Sequence, residues 1–277
     1  MNVHRYVPLP FQGNKSKNIN PFMAYINSCD DDMTFIDLFG GSFYLSYVIT
    51  RLKPKAKVIC NDFDNYRERL NHVDTTNKII KKIKEAVPGR EYNTKYSEEE
   101  TKKIKRIIQE FHDRGEFIDA LTLSHVLIFS GKNFKTKDEL LNFRWMWNHI
   151  PQRKYEVQWY LDAIKDIDFV CKDWEVLFNE YRDKENVCFI ADPPYINTNQ
   201  DTYSDGWSLI DTLKTFQILR CPRFVYYSSA KSGILDLIEY FNENFYKDEP
   251  ITYLINVIKR NGVNKHSNTW EDIMICF

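Results

Sequence analysis

Short apolar runs that end in polar or glycine residues recur near both ends of this chain. Such runs, bounded by turn residues, are typical of buried strands in an α/β sheet. Helical patterns alternate with the first of these runs, which indicates a mostly parallel sheet. The predicted strands are Thr34–Phe39, Lys57–Asp62, Val187–Ala191, Arg223–Ser228, Ile251–Ile258 and Asp272–Phe277.

Helices are predicted between these strands. Asn20 is placed to cap a helix that has Pro21 at its first position. Further helices are predicted at Ser42–Leu52 and Ile234–Asn244. A polar segment separates the last two strands, which we expect to form an antiparallel hairpin at the edge of the sheet.

The middle of the chain has a different pattern, mainly helical and richly charged. Ser97 and Glu100 have the spacing of a capping box. Ile104, Ile107, Ile108 and Phe111 follow at the spacing of one helix face. We therefore predict that residues 71–160 form a helical insert in an α/β domain made of residues 1–70 and 161–277.

Overall composition excludes several classes of protein. The net charge is −1, with 38 basic and 39 acidic residues, so nucleic-acid contacts must come from local patches. The six cysteines contain no Cys-x-x-Cys pair, which argues against a zinc site or a disulfide framework. No apolar signal region or membrane-length stretch occurs. We expect a soluble protein of a reducing compartment that needs no metal.

The most informative motif is Asp192-Pro193-Pro194-Tyr195, directly after the apolar run Val187–Ala191. Two prolines end the strand and stiffen the loop at its carboxyl end, where open α/β sheets bind ligands. The loop offers the Asp192 carboxylate, a backbone carbonyl and an aromatic ring. This combination suits a flat ligand with an amino group, although a tight turn with a capping aspartate is the simpler alternative.

A second motif is the glycine turn Asp37-Leu38-Phe39-Gly40-Gly41 at the end of the first strand. Such turns let a ligand approach the backbone at a helix N-terminus. Asp62 ends the next strand, at a position suited to accept hydrogen bonds from ribose hydroxyls. The alternatives are an ordinary turn for the glycines and a helix cap for Asp62.

Two further segments are ambiguous by themselves. Phe11-Gln12-Gly13-Asn14-Lys15 has the composition of an ordinary turn. Asp168–Trp174 is consistent with a strand followed by a helix cap at Asp173.

Taken in order, Phe11–Lys15, Asp37–Gly41, Asp62, Asp173 and Asp192–Tyr195 resemble the DNA methyltransferases that act on adenine N6. The resemblance is to the group of bacterial and phage enzymes that modify GATC. It covers about two-thirds of the chain, at both ends, because the middle matches only in position.

This resemblance implies S-adenosylmethionine as the methyl donor, on a Rossmann-like sheet. It assigns Asp192, Pro193, Pro194 and Tyr195 to catalysis. Residues that would contact the donor are Phe11, Gly13, Lys15, Asp37, Phe39, Gly40, Gly41, Asp62, Asp173, Trp174 and Asp192.

The glycine turn departs from the family pattern at Phe43, since many relatives carry more glycines there. A ring that points toward the donor would weaken donor binding. A ring that points into the core would leave binding unchanged.

DNA is the implied substrate, and the insert is its predicted recognition domain. Residues 131–154 contain six basic and two acidic residues with interleaved aromatics, a composition suited to phosphate contact and insertion into a groove. The alternative is a solvated surface above a helical core. Predicted DNA contacts are Lys132, Arg144, Asn148, Arg153, Lys259, Arg260 and Lys265.

We expect Asp192 and the Pro193 carbonyl to accept the two hydrogens of the adenine amine, so that its lone pair attacks the donor methyl in line. Tyr195 would stack on an adenine that has left the duplex. The same chemistry accommodates cytosine N4 or RNA, and a non-catalytic module that keeps the fold is a third possibility. The expected setting is the cytoplasm of a bacterial or phage-infected cell, with the protein a monomer or weak dimer on DNA.

Overall fold

A computed structural model describes residues 3–16, 19–129, 134–195, 207–229, 232–260 and 270–277. The chain folds into two compact units. We name them the sheet unit (1–6, 13–64 and 163–277) and the helical unit (7–12 and 65–162). The predicted insert was 71–160, and residues 7–12, which the prediction placed in the α/β domain, cluster with the helical unit.

Helices account for most of the described secondary structure. None of those in the described ranges has the length and apolar character needed to cross a bilayer. In chain order they are α1 (Asn20–Ser28), α2 (Tyr44–Leu52), α3 (Tyr66–Asn71), α4 (Val73–Ala86), α5 (Glu98–Asp113), α6 (Ala120–Leu127), α7 (Lys137–Asn142), α8 (Gln158–Ile164), α9 (Trp174–Tyr181), α10 (Leu209–Lys214), a 3₁₀ helix (Thr215–Arg220) and α11 (Ile234–Asn244).

The strands form one seven-stranded sheet with the order β3-β2-β1-β4-β5-β7-β6. Strands β1 to β5 are parallel, and β7 is antiparallel to both of its neighbours. The mostly parallel sheet and the C-terminal antiparallel pair are therefore confirmed. The strands are β1 (Thr34–Asp37), β2 (Lys57–Asn61), β3 (Asp168–Val170), β4 (Val187–Ala191), β5 (Phe224–Ser229), β6 (Leu254–Arg260) and β7 (Trp270–Cys276).

Burial explains why the central strands appear in the sequence as continuous apolar runs. All five residues of β4 are buried, as expected for a central parallel strand covered on both faces. Ile36, Phe189 and Phe224 lie in one apolar cluster that continues onto α9 and α11. This packing holds the carboxyl ends of β1 and β4 in fixed positions.

One predicted helix start is wrong by a residue. Asn20 lies inside α1, and Ile19 occupies the N-cap without a side-chain hydrogen bond. Ile19 is fully buried, and its carbonyl accepts a hydrogen bond from Met23 N at 2.9 Å. Burial of the isoleucine therefore determines where the helix begins.

The helical unit has its own apolar core, in which Ile104, Ile108 and Phe111 of α5 pack together. The predicted capping box is present. Ser97 Oγ accepts from Glu100 N at 3.2 Å, and Ser97 N donates to Glu100 Oε2 at 2.7 Å. The capping box and the apolar face that the sequence predicts for this helix are thus both present in the structure.

Candidate active site

The order of the strands reverses between β1 and β4. In open α/β sheets, ligands bind outside the carboxyl ends of the strands at such a reversal. Asp37 is the last residue of β1, and Asp192 follows β4 directly. Asp62 follows β2, the other neighbour of β1. Three of the predicted site residues therefore lie along one edge of the sheet.

Gly40 lies against the end of β2. Its N–H donates to Asn61 O at 3.1 Å. A Cβ atom at this position would lie 2.5 Å from Cys60 Sγ and 2.7 Å from Asn61 O, closer than real side chains approach. Gly41 follows with φ +51, in the left-handed region. Close packing at Gly40 and the left-handed backbone at Gly41 therefore favour glycine at both positions.

Asp37 is a buried carboxylate with one oxygen occupied. Its exposure is 1%, and Oδ2 accepts from Ser46 Oγ at 2.7 Å. Oδ1 has no hydrogen-bond partner in the described part of the chain. Burial, with the nearby Asp192 charge, raises the pKa of Asp37 to about 6, against the opposing effects of Ser46 and the Phe39 amide. Asp37 Oδ1 can therefore accept a hydrogen bond from a group outside the described residues.

Asp192 is held from two sides. Lys15 Nζ forms an ion pair with Oδ2, and Tyr195 Oη donates to Oδ1 at 2.8 Å. Burial, together with the Asp192 charge, raises the pKa of Tyr195 well above its usual range, so the hydroxyl stays protonated and donates. The sequence predicted a role for the Tyr195 ring but not this hydrogen bond.

The other residues predicted to contact the donor have more varied surroundings. Asp62 is buried, and its N–H donates to Val170 O at 2.7 Å. Asp173 caps α9, because its side chain accepts from Glu175 N at 2.8 Å. The helix cap, which was the alternative for this residue, is therefore present.

Trp174 lies beside the glycine turn. Its ring packs against Phe39, with the ring centroids 5.8 Å apart. The Trp207 ring, which the sequence did not single out, meets Phe39 edge-on at 5.7 Å. An aromatic wall of three rings therefore borders the turn after β1.

Phe11 belongs to the helical unit, whereas Gly13 and Lys15 belong to the sheet unit. The Phe11 ring packs edge-on against Tyr66 at 5.6 Å. Gly13 has φ +79, and its carbonyl accepts from Lys15 Nζ at 2.7 Å. Of the N-terminal motif, Gly13 and Lys15 therefore lie in the same unit as Asp192, whereas Phe11 does not.

Phe43, the departure from the family pattern, points into the core. It is fully buried, and its ring lies 4.7 Å from that of Phe169. Of the two alternatives for this residue, the structure has the one in which the ring points into the core. The residue adopts φ +61 at the N-cap of α2, a strained conformation that its core packing must offset.

Besides Trp207, sequence reasoning missed two residues near this edge. Phe63 is 60% exposed directly after Asp62, and its signal in the sequence was an aromatic residue between two aspartates. Asp272 is buried on β7 opposite Ser229, and its charge also raises the pKa of Tyr195. A lone aspartate within the apolar final strand was its signal. Across the described ranges, no three His, Cys, Asp or Glu side chains are grouped to hold a metal ion.

Part of the predicted DNA surface lies outside the described residues. This applies to Lys132 and Lys265, and to the side chains of Lys259 and Arg260, whose backbone forms the end of β6. Arg144 is exposed and lies 4.4 Å from the Trp145 ring centroid. Arg153 is also exposed.

Asn148, also a predicted DNA contact, has hydrogen-bond partners within the helical unit. Its amide nitrogen donates to Arg90 O at 3.0 Å and to Glu91 O at 3.1 Å. Its oxygen accepts from Ile150 N at 3.3 Å. Both amide hydrogens are thus used to organise the surrounding loop, and only the oxygen keeps capacity to accept a further hydrogen bond.

The helical unit also has an aromatic surface, which we name the aromatic patch: Tyr92, Phe129, Trp147 and His149. Phe129 and Tyr92 are 48% and 68% exposed. The rings of Phe129 and Trp147 lie 4.5 Å apart, and His149 contacts both of them and Tyr92. Beside it in sequence, Trp145 has the Lys95 ammonium 3.3 Å from its ring centroid.

The sheet topology, the glycine turn and the Asp-Pro-Pro-Tyr loop together define an α/β methyltransferase. The sequence model of the D12 class N6 adenine-specific DNA methyltransferases matches residues 11–259. The chain belongs to this family, which confirms the resemblance found in the motifs.

Known proteins that are similar to this chain include the following two. A protein of Haemophilus influenzae (strain ATCC 51907 / DSM 11121 / KW20 / Rd), named "Putative methyltransferase", is 32% identical over 247 residues, covering 87% of this chain and 81% of its own. The crystal structure of precorrin-6y C5,15-methyltransferase from Geobacter metallireducens GS-15 has a TM-score of 0.37 and 11% identity, over 97% of this chain and 93% of its own.

Proposed function

We propose that this protein transfers a methyl group from S-adenosylmethionine to N6 of an adenine in double-stranded DNA. The family supports methyl transfer and adenine as the target. The observation that carries the proposal is the position of Asp37 and Asp192 at the carboxyl ends of the neighbouring strands β1 and β4. One carboxylate would bind the donor and the other the acceptor amine.

The residues around β1 fit the proposed donor. The unpartnered, buried Oδ1 of Asp37 suits the ammonium of the donor's amino-acid part. Gly40 and Gly41 would let the donor approach the backbone of the turn, and Asp62 would accept from the ribose hydroxyls. The Phe39 and Trp174 rings would border the adenosyl part. When bound, S-adenosylmethionine supplies an electrophilic methyl group.

The Asp192 loop would prepare the amine. In adenine the lone pair of the exocyclic nitrogen is delocalised into the ring, which makes it a poor nucleophile. Asp192 and the Pro193 carbonyl would accept its two hydrogens and localise that lone pair. Fixed acceptors of this kind lower a barrier because they need no reorganisation during the reaction. Tyr195 would stack on the extruded base, which is worth about 1–3 kcal/mol.

Methyl transfer from tritiated donor to DNA, followed by nucleoside analysis, tests the proposal. We expect N6-methyladenine with the wild type, almost none with Asp192→Asn, and full activity with the control Asp166→Asn, whose side chain is exposed. N4-methylcytosine, or labelled RNA but not DNA, would favour the alternative substrates. Absence of binding heat with S-adenosylmethionine would favour a non-catalytic module.

We also propose that the aromatic patch and the basic residues near it in sequence contact the DNA. Exposed aromatics suit stacking on bases or insertion between them, and Arg144 and Arg153 suit phosphates. A DNA substrate implies the cytoplasm of a bacterial or phage-infected cell, with the protein acting as a monomer or weak dimer.

Fluorescence anisotropy with duplex DNA at several salt concentrations tests this surface. Arg153→Ala should weaken binding and lower the salt slope by about 1. Phe129→Ala should weaken binding with the slope unchanged, since it removes no charge. Lys103→Ala, on the exposed face of α5, is the matched control. Wild-type binding by both test variants would contradict the proposal.

A further inference from the structure

Lys15 is a buried lysine committed to the Asp192 loop. Its side chain is 5% exposed, and Nζ pairs with Asp192 Oδ2. Nζ also donates to Gly13 O at 2.7 Å. An ammonium removed from water is stable only when it is paired and hydrogen-bonded, so these two contacts account for its position.

Two aromatic rings complete the surroundings of this ammonium. Nζ lies 5.4 Å from the ring centroid of Tyr195 and 5.3 Å from that of Tyr227. Tyr227 is fully buried on β5, and Tyr195 also donates to Asp192. The Lys15 side chain therefore has little freedom to move. Because it is paired with Asp192, it also restricts the orientation of the Asp192 carboxylate.

We infer that Lys15 is a positioning residue, which fixes the orientation of the Asp192 carboxylate toward the amine. This inference rests on the proposed function. Each carboxylate oxygen can accept more than one hydrogen bond, so Lys15 and Tyr195 orient the group and still leave acceptor capacity for the substrate. Misplacement of a reacting group by about 1 Å can reduce a rate by about 100-fold.

The positive charge of Lys15 would not itself assist the proposed methyl transfer. The attacking nitrogen becomes positive as the methyl group is transferred, and a nearby cation opposes that change. The benefit of Lys15 must therefore come from geometry. The family resemblance implies a different role, in which Lys15 contacts the methyl donor.

The test compares Lys15→Met and Lys15→Arg with Lys247→Met, an exposed control in the sheet unit. For Lys15→Met we expect kcat to fall by about 10- to 100-fold. Its Kd for S-adenosylmethionine, measured by calorimetry, should change by less than about threefold. Lys15→Arg retains donors and should recover part of kcat. Circular dichroism melting ensures that each variant is folded.

A weaker donor affinity with kcat unchanged would overturn the inference, because Lys15 would then bind the donor. Wild-type kinetics in Lys15→Met would also overturn it. If the wild-type protein methylates no adenine, the proposed function itself fails and the inference fails with it. An active wild type with an unaffected Lys15→Met variant rejects only the positioning role.

Discussion

Ser46 Oγ donates to Asp37 Oδ2 at 2.7 Å, while Oδ1 of the same carboxylate has no partner among the described residues. Half of a buried carboxylate is therefore left for a ligand. The same burial that isolates Asp37 raises its pKa to about 6. Donor binding and folding stability should both depend on its protonation.

Binding of S-adenosylmethionine should weaken at acidic pH. Protonation of Asp37 removes the charge that would pair with the donor's ammonium, which stays cationic below about pH 7.7. Well below pH 6, affinity should fall by about tenfold per pH unit. Calorimetry between pH 4 and 7, where the donor's ammonium stays cationic, measures this, and Asp37→Asn should bind more weakly with no such dependence. A Kd of the wild type that does not vary with pH would contradict the assignment.

Asp37→Asn should stabilise the ligand-free protein at neutral pH. The folded state raises the pKa from its ordinary value of 3.8 to about 6, so it holds the proton more tightly than the unfolded chain does. The ionised carboxylate therefore destabilises the fold above pH 6, and this cost disappears as the pH falls toward 4.

Urea unfolding at pH 7 and pH 4 measures this effect. We expect Asp37→Asn to raise the free energy of unfolding by about 1–3 kcal/mol at pH 7 and to have little effect at pH 4. A less stable variant at pH 7 would mean that the bond between Ser46 and the charged carboxylate outweighs the cost of burial.

Gly40→Ala should damage both the fold and donor binding. The new methyl group would lie 2.5 Å from Cys60 Sγ and 2.7 Å from the Asn61 carbonyl. Overpacking of this kind costs about 1–3 kcal/mol. The double variant Gly40→Ala/Cys60→Ala should recover only part of the loss, since the backbone contact remains, with Cys60→Ala as the control. Full recovery would show that the thiol alone restricts the position.

Phe43 should contribute to stability and not to donor affinity. Phe43→Ala removes a buried ring and should cost about 3–5 kcal/mol. Phe43→Gly should be more stable than Phe43→Ala by about 1 kcal/mol, because glycine tolerates the left-handed backbone at this position. Denaturant unfolding and donor calorimetry on both variants test this, and a tighter donor Kd in either would reverse the assignment.

Local signals predicted much of the fold. The bounds of β4 and α11 agree with the predicted runs, because apolar continuity and helical periodicity depend only on neighbouring residues. The capping box at Ser97 is local in the same sense. The motif loops at Asp37 and Asp192 could be assigned to strand ends for the same reason.

Contacts between distant residues could not be predicted in this way. The pairing of Lys15 with Asp192 joins residues 177 positions apart. The insertion of β7 between β5 and β6 depends on long-range pairing, which the pattern of a single strand does not specify. Asn148 illustrates the same limit. It lies in a segment whose composition suits DNA contact, but its amide nitrogen donates to the distant carbonyls of Arg90 and Glu91.

The most direct test is methylation-aware sequencing of DNA from a methylation-free bacterial host that expresses this chain. We predict N6-methyladenine at a defined recognition sequence with the wild type, and none with Asp192→Asn expressed at the same level. DNA without N6-methyladenine from cells that contain folded wild-type protein would contradict the proposed function.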